Sequence, residues 1–199
     1  MNILITRTKR RKTISILIKD GNVEVKAPFN LNQNDLLHLF SSYGKAFIAP
    51  GLYQLYDPSY GNSKGSDYNL FENNNKLLKR VKTDLVGILS EALQSEIFFH
   101  ASFYTIYGSG GGVKTHNHIS DLDEDPSLKL STQKYSLVYY LNVGDQDTSQ
   151  PGVLKLFEPE EDVLPSDGMI IVFPAERYHS AAYNGSKDRI ILGVNFYAI

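Results

Sequence analysis

Three of the chain's five histidines, His116, His118 and His179, are spaced so that they can share one ion, and Arg189 stands ten residues after the last. In Thr115-His-Asn-His-Ile119 a single residue separates the first two. On a β-strand, residues i and i+2 face the same way, about 6.6 Å apart along the strand, so both imidazoles can turn toward one point. Neutral imidazole is a ligand for Fe, Zn, Cu and Ni. The third histidine ends the run Asp167-Gly168-Met-Ile-Ile-Val-Phe173-Pro174-Ala-Glu-Arg-Tyr-His179. That run reads as a buried strand, a proline-terminated turn, and a histidine opening the next strand at the mouth of a barrel. A pair of strand histidines alone would read as solvent-facing; the third, in a run with its own logic, makes the metal reading the stronger one. His38 and His100 lack such a setting and read as structural.

Arg189 supplies a second half to this chemistry. Inside a small barrel a guanidinium needs an anion, because an unpaired buried charge is costly, and it grips a carboxylate through two parallel hydrogen bonds. On the surface it would instead pair with a neighbour such as Asp188. Tyr107 and Tyr140 belong to the same spaced set, and on their own read as barrel core.

These residues need a scaffold, and from Glu96 onward the pattern supplies one. Short strands are expected at about 97–107, 113–119, 134–143, 152–157, 168–173, 178–184 and 189–197. Strands at this spacing with Gly-rich turns argue for a sandwich or jelly roll. For His179 and Arg189 both to face inward, the last two strands are expected to form a hairpin with an odd-length loop or bulge between Tyr183 and Arg189. Asp121 to Ser131 reads as an acidic insertion. Upstream, Leu77, Leu78, Val81, Leu85, Ile88, Leu89 and Ala92 recur at helical spacing within Lys76 to Ser95, an amphipathic helix that must lie against the sheet. Residues 50–75 read as a long loop, and Asn32 to Tyr43 as a short helix. Asn2 to Arg7, Thr13 to Lys19 and Asn22 to Lys26 read as strands, the last two joined by Asp20-Gly21.

Composition sets bounds. At 199 residues with 42% hydrophobic content, the chain reads as one compact domain, with an N-terminal β-hairpin (1–30), a helical support and long loop (31–96) and a β core (97–199). No stretch approaches 18 apolar residues, so no membrane span is expected. The start shows no secretory pattern, and zero cysteines exclude disulfides and thiolate ligands; a cytoplasmic setting is expected. Residues 1–26 carry seven Lys/Arg against two Asp/Glu, or +5, while the remaining 13 basic and 20 acidic residues give −7. The basic run Arg7 to Lys12 could neutralise phosphates of a nucleic acid; the plainer reading is a solvated turn.

The order and spacing of Tyr107 to His118, Val138 to Asn142, Gly152 to Phe157, Gly168 to Pro174, His179 and Arg189 resemble the prolyl-hydroxylase-like branch of the 2-oxoglutarate/Fe(II) oxygenases, over about residues 97–199. The resemblance implies a mainly β fold with flanking helices: a double-stranded β-helix (jelly-roll, cupin-like) core with an N-terminal hairpin and a long supporting helix. It implies Fe(II) and 2-oxoglutarate as cofactors, O2 as co-substrate, and hydroxylation of a C–H bond, with a peptidyl side chain such as proline favoured. By the same resemblance His116 and His179 are metal ligands, Arg189 holds the far carboxylate of 2-oxoglutarate, and Tyr140 and Tyr107 assist in the cofactor pocket. Segments 50–75 and 121–131 would cover the substrate.

One position departs from the family. His118 stands where the family places an aspartate, so the site is one charge more positive. Three outcomes stay open: His118 is the third ligand, Asp121 or Asp123 reaches in from the insertion, or the site is altered. Two other functions stay open too. A cupin-like three-histidine dioxygenase without 2-oxoglutarate explains His118 but not Arg189; a barrel with a degenerate site would act as a binding or structural module.

Overall fold

Alternation along the C-terminal strand divides the molecule into two sides in the computed structural model, which describes residues 3–9, 12–19, 22–26, 33–45, 52–54, 61–147 and 151–199. The strands are β1 (Ile3–Lys9), β2 (Lys12–Lys19), β3 (Asn22–Lys26), β4 (Leu52–Gln54), β5 (Gly61–Ser66), β6 (Ile97–His116), β7 (Lys134–Asn142), β8 (Leu154–Leu156), β9 (Glu161–Val163), β10 (Ile170–Pro174), β11 (His179–Tyr183) and β12 (Arg189–Ala198). Two α-helices accompany them, α1 (Gln33–Lys45) and α2 (Lys76–Leu93). On β12, Ile190, Leu192, Val194 and Phe196 enter one apolar cluster. Ile191 enters a second, and Arg189, Gly193 and Asn195 line a cavity on that same side. The two-residue repeat of a strand produces this split. On β10, likewise, Ile170 and Val172 face one way and Ile171 and Phe173 the other.

Helix α2 covers the outer side. Its buried stripe is Leu78, Val81, Leu85, Ile88, Leu89 and Ala92, packed in one cluster with Tyr104, Ile106, Leu137, Tyr139 and the outward residues of β12. The Asn75 side chain accepts from Leu77 N–H at 2.8 Å and so caps the first turn. Gln94, at φ 54°, ends the helix in the left-handed conformation. Burial of each leucine stabilises by roughly 1.5–3 kcal/mol, so the helix is held by packing.

The strands form one antiparallel sheet in the order β1-β2-β3-β10-β7-β12-β6-β11-β8-β9, with β5 on the other edge of β6 and β4 beside β5. It curls into a jelly roll. The chain is thus mainly β with flanking helices, as the sequence suggests, and β3 joins the first two strands to the sheet through β10.

Three sequence expectations are corrected. Residues 97–107 and 113–119 are not separate strands: Ile97–His116 is one strand of 20 residues. The glycines at 108 and 110–112 mark a bend rather than a turn, with Gly110 at φ +80°. The 50–75 segment is not all loop; it contributes β4, β5 and a 3-10 turn at Leu70–Glu72, and β5 lends Gly65 and Ser66 to the cavity wall. Finally, β11 and β12 are not a hairpin. Tyr107 pairs with Arg189 on one side and Ser63 on the other, and Gly111 pairs with Tyr183 and Gly61. Since β5 runs along one edge of β6, β12 and β11 lie end to end, in the same direction, along the other. Both strands seek the long central strand, so 184–188 is a crossing between two stretches of one edge. The basic side chains of Arg7, Lys9, Arg10, Arg11 and Lys12 lie outside the described part of the structure.

Candidate metal centre

His116 closes β6 and His179 opens β11, and the two face each other as a cross-strand pair. A register shift between His179 and Ala181 gives β6 one extra residue there, which brings His116 onto the face that Val113 already occupies. His118 lies two residues past the end of β6, so its approach does not come from a shared strand face. Its backbone N–H donates to Ala175 O at 2.9 Å, which ties the segment after β6 to the turn after β10. Ring centroids are separated by 4.8 Å (116–118), 4.3 Å (116–179) and 5.0 Å (118–179). One nitrogen from each ring lies within 4.8 Å of the others. Phe173 meets His179 edge-on at 4.9 Å and limits its rotation.

The tautomers of two rings are set by their backbone partners. Nδ1 of His116 lies 2.8 Å from Lys114 O, and Nδ1 of His179 lies 3.1 Å from Arg177 O. A carbonyl only accepts, so each Nδ1 carries the proton and each Nε2 offers a lone pair. Burial, with His179, His116 and Lys134 nearby, pushes His118 down to about 3. Burial and the neighbouring His116 push His179 down to about 4, against a small opposing hydrogen bond to Arg177 O. Both rings are therefore neutral near pH 7, the form that binds metal. Three imidazoles this close fit a divalent first-row ion with bonds of about 2.0–2.1 Å.

The carboxylates of the insertion do not join them. Asp121 is exposed. Asp123 is buried and accepts from Lys134 Nζ (2.6 Å), Ser120 N–H (2.8 Å), Ser120 Oγ (2.6 Å) and Tyr197 OH (2.7 Å). Burial alone would raise its pKa; the hydrogen bonds, that from Lys134 foremost, outweigh burial and hold the carboxyl well below the usual carboxylate range. The reading in which an insertion aspartate completes the triad is thereby corrected, for the buried lysine claims the carboxylate.

A cavity of about 260 Å³ contains the three histidines, Tyr107, Tyr140 and Arg189. Among the described residues no Asp or Glu lines it. Arg189 is 2% exposed. Its Nε donates to Val143 O at 3.3 Å and its Nη2 to Gly152 O at 3.2 Å and to Gln146 Oε1, while the guanidinium stacks 4.3 Å over the Tyr183 ring. Among the described residues no carboxylate forms an ion pair with it. Burial lowers its pKa and the nearby tyrosines oppose that, so it stays a cation. Burial pushes the Tyr140 phenol up despite Arg189, so Tyr140 remains a hydrogen-bond donor near neutral pH. Arg189 thus faces the cavity although the hairpin argued for it does not exist; its pairing with Tyr107 on β6 turns it inward.

Asn195 and Ser136 also line this cavity and escaped the sequence reading. Parity carries the signal for Asn195: positions 189, 191, 193 and 195 share one face of β12.

No protein-family model matches the sequence, and no curated protein matches it. Solved structures do match in shape. The viral collagen prolyl hydroxylase of Paramecium Bursaria Chlorella virus-1, in complex with 2OG, superposes with a TM-score of 0.63 at 14% identity, covering 90% of this chain and 97% of that one. The prolyl-4-hydroxylase of Pseudomonas putida gives 0.62 at 17% identity over 90% and 93% of the two chains. The fold is that of the 2-oxoglutarate/Fe(II) oxygenases. A prolyl hydroxylase from Trichoplax adhaerens, in complex with a hypoxia inducible factor oxygen degradation domain peptide fragment, gives 0.65 at 15% identity over 90% and 78%.

Proposed function

We propose that this chain is a non-haem Fe(II), 2-oxoglutarate-dependent oxygenase that hydroxylates a C–H bond. The observation that carries the reading is one cavity that brings three imidazoles together with a buried arginine, with no Asp or Glu in its wall and no carboxylate partner for the arginine among the described residues. The shared fold with prolyl hydroxylases supports it.

Bound Fe(II), with 2-oxoglutarate and O2, supplies the oxidant: one oxygen atom ends in the substrate hydroxyl and the other in succinate, with loss of CO2. The chain supplies position. His116, His118 and His179 would hold the metal as neutral donors. Arg189, held in place by Tyr183 and backbone carbonyls, would take the far carboxylate of 2-oxoglutarate through paired hydrogen bonds. Tyr140 stands beside it as a protonated phenol, with Tyr107 in the same cavity wall. Phe173, Val138 and Ile191 add apolar wall, which strengthens these contacts by keeping water out. A peptidyl side chain such as proline is the substrate class the fold neighbours favour.

The all-nitrogen donor set favours a second reading, a three-histidine dioxygenase that needs no 2-oxoglutarate. Anaerobic titration of the metal-free protein with Fe(II) or Mn(II), with and without 2-oxoglutarate, separates them. The oxygenase reading expects metal binding that 2-oxoglutarate tightens. Metal binding indifferent to 2-oxoglutarate favours the second reading. Neither metal nor 2-oxoglutarate binding leaves a barrel serving as a binding module.

A further inference from the structure

The ligand that departs from the family has a partner of its own. Nδ1 of His118 lies 3.3 Å from Nδ2 of Asn195, whose Oδ1 accepts from Ser136 Oγ at 2.9 Å. Asn195 and Ser136 are both buried and both line the cavity. The three side chains form a short chain from β7 through β12 to the imidazole. With Nδ1 engaged, Nε2 is the nitrogen that His118 has left for a metal.

Two hydrogen-bond patterns fit this geometry. In one, the amide N–H donates to a bare Nδ1, and the imidazole proton must then sit on Nε2. In the other, a half-turn of the amide places Oδ1 against His118, where it accepts from Nδ1–H. Nδ2 then donates to Ser136, whose hydroxyl serves equally as donor or acceptor. Only the second leaves Nε2 bare. His116 and His179 have the same arrangement already, each giving its Nδ1 proton to a backbone carbonyl. Among the described residues His118 has no backbone carbonyl in that role; the asparagine carbonyl stands in its place. An acceptor there both selects the tautomer and raises the basicity of the ligating nitrogen.

We infer that Asn195, anchored by Ser136, is a positioning residue that accepts the Nδ1 proton of His118 and presents Nε2 to the metal. The inference rests on the metal-binding reading above and extends it to the third ligand. It makes His118 a built donor, locked from behind as the other two are.

Asn195→Leu and Asn195→Asp test it, because the three side chains are close in size and differ in what they accept. The probe is Co(II), followed by its visible absorption in competition with a chelator. Loss of an acceptor behind a metal-bound histidine typically weakens metal binding by about 10–100-fold, and that loss is expected for Asn195→Leu. Asn195→Asp keeps an acceptor and is expected to bind within about 3-fold of wild type or tighter. Simple packing predicts the reverse, with leucine tolerated and a buried carboxylate penalised. If Asn195→Leu binds like wild type, or if both variants weaken alike, Asn195 has no such role. The wild-type protein gives a reading independent of either variant. Nitrogen-15 NMR of the metal-free form should show His118 protonated at Nδ1, and a proton on Nε2 would overturn the inference. Wild-type protein that binds no Co(II), Fe(II) or Mn(II) while showing the Nδ1–H tautomer would instead sink the functional reading and leave the asparagine contact standing.

Discussion

Under the proposed function, an imidazole at position 118 gives the metal a third nitrogen donor and no negative charge, so among the described residues Arg189 sets the charge of the cavity wall. That separates the two ends of the site. Arg189→Ala should leave affinity for Mn(II) alone within about 3-fold of wild type, and lower 2-oxoglutarate affinity by about 100-fold, the loss of a charge-assisted pair of a few kcal/mol. Calorimetric titration of each ligand checks both halves; unchanged 2-oxoglutarate affinity would mean the anion partner is misassigned. The same residues set a pH dependence. Burial, with His179, His116 and Lys134 adjacent, lowers His118 to about 3, and burial beside His116 lowers His179 to about 4, whereas an unfolded imidazole titrates near about 6.5. Between these values the unfolded chain binds more protons. Stability of the metal-free protein should therefore climb from pH 4.5 to about 6.5 and level off above. Urea midpoints across that range measure it, and His118→Gln should flatten the slope. A midpoint that falls with rising pH would contradict neutral, buried imidazoles.

At the scale of elements, the segment from His118 to β7 is held by one buried ion pair. Lys134 and Asp123 are 3% and 0% exposed and 2.6 Å apart, with Ser120 and Tyr197 filling the remaining positions on the carboxylate. Removing one partner strands the other charge in the interior. Asp123→Ala should cost about 3–5 kcal/mol, whereas Asp123→Leu with Lys134→Met should cost far less, since a well-packed apolar pair can replace a buried ion pair. Thermal unfolding of the three proteins decides this, and equal losses would show that packing alone holds the segment. This pair was not legible in the sequence, where Asp123 sat in an acidic insertion and was weighed only as a metal ligand, and Lys134 merely opened a strand. What was legible followed local periodicity: the apolar stripe of α2, the alternating faces of β10 and β12, and the three histidines. What was not legible depended on pairing across distance. Gly108 to Gly112 broke the local pattern and read as a turn, although β5, β11 and β12 keep β6 continuous through the bend. The neighbours β11 and β12 read as a hairpin, because sequence proximity says nothing of a third strand long enough to pair with both.

Across the whole molecule, one sheet separates two jobs. Its outer face packs on α2 and carries the larger apolar cluster; its inner face carries the cavity and the smaller one. A strand is thin, so residues adjacent in sequence serve opposite faces, and stability and metal binding can be perturbed separately. Leu85 is fully buried in the apolar cluster of the outer side, separate from the cluster beside the cavity. Leu85→Ala should remove about 2–5 kcal/mol of stability through lost burial and an unfilled cavity, while the folded protein keeps its metal affinity. Phe173 is equally buried but on the inner face, edge-on to His179. Phe173→Ala should cost a similar amount, about 3–5 kcal/mol, and also free the His179 ring, so metal binding should weaken along with stability. Denaturant unfolding paired with Co(II) titration at a temperature where both variants are folded distinguishes the two faces. If Leu85→Ala weakens metal binding as much as Phe173→Ala does, the sheet transmits strain between its faces and the division of labour fails.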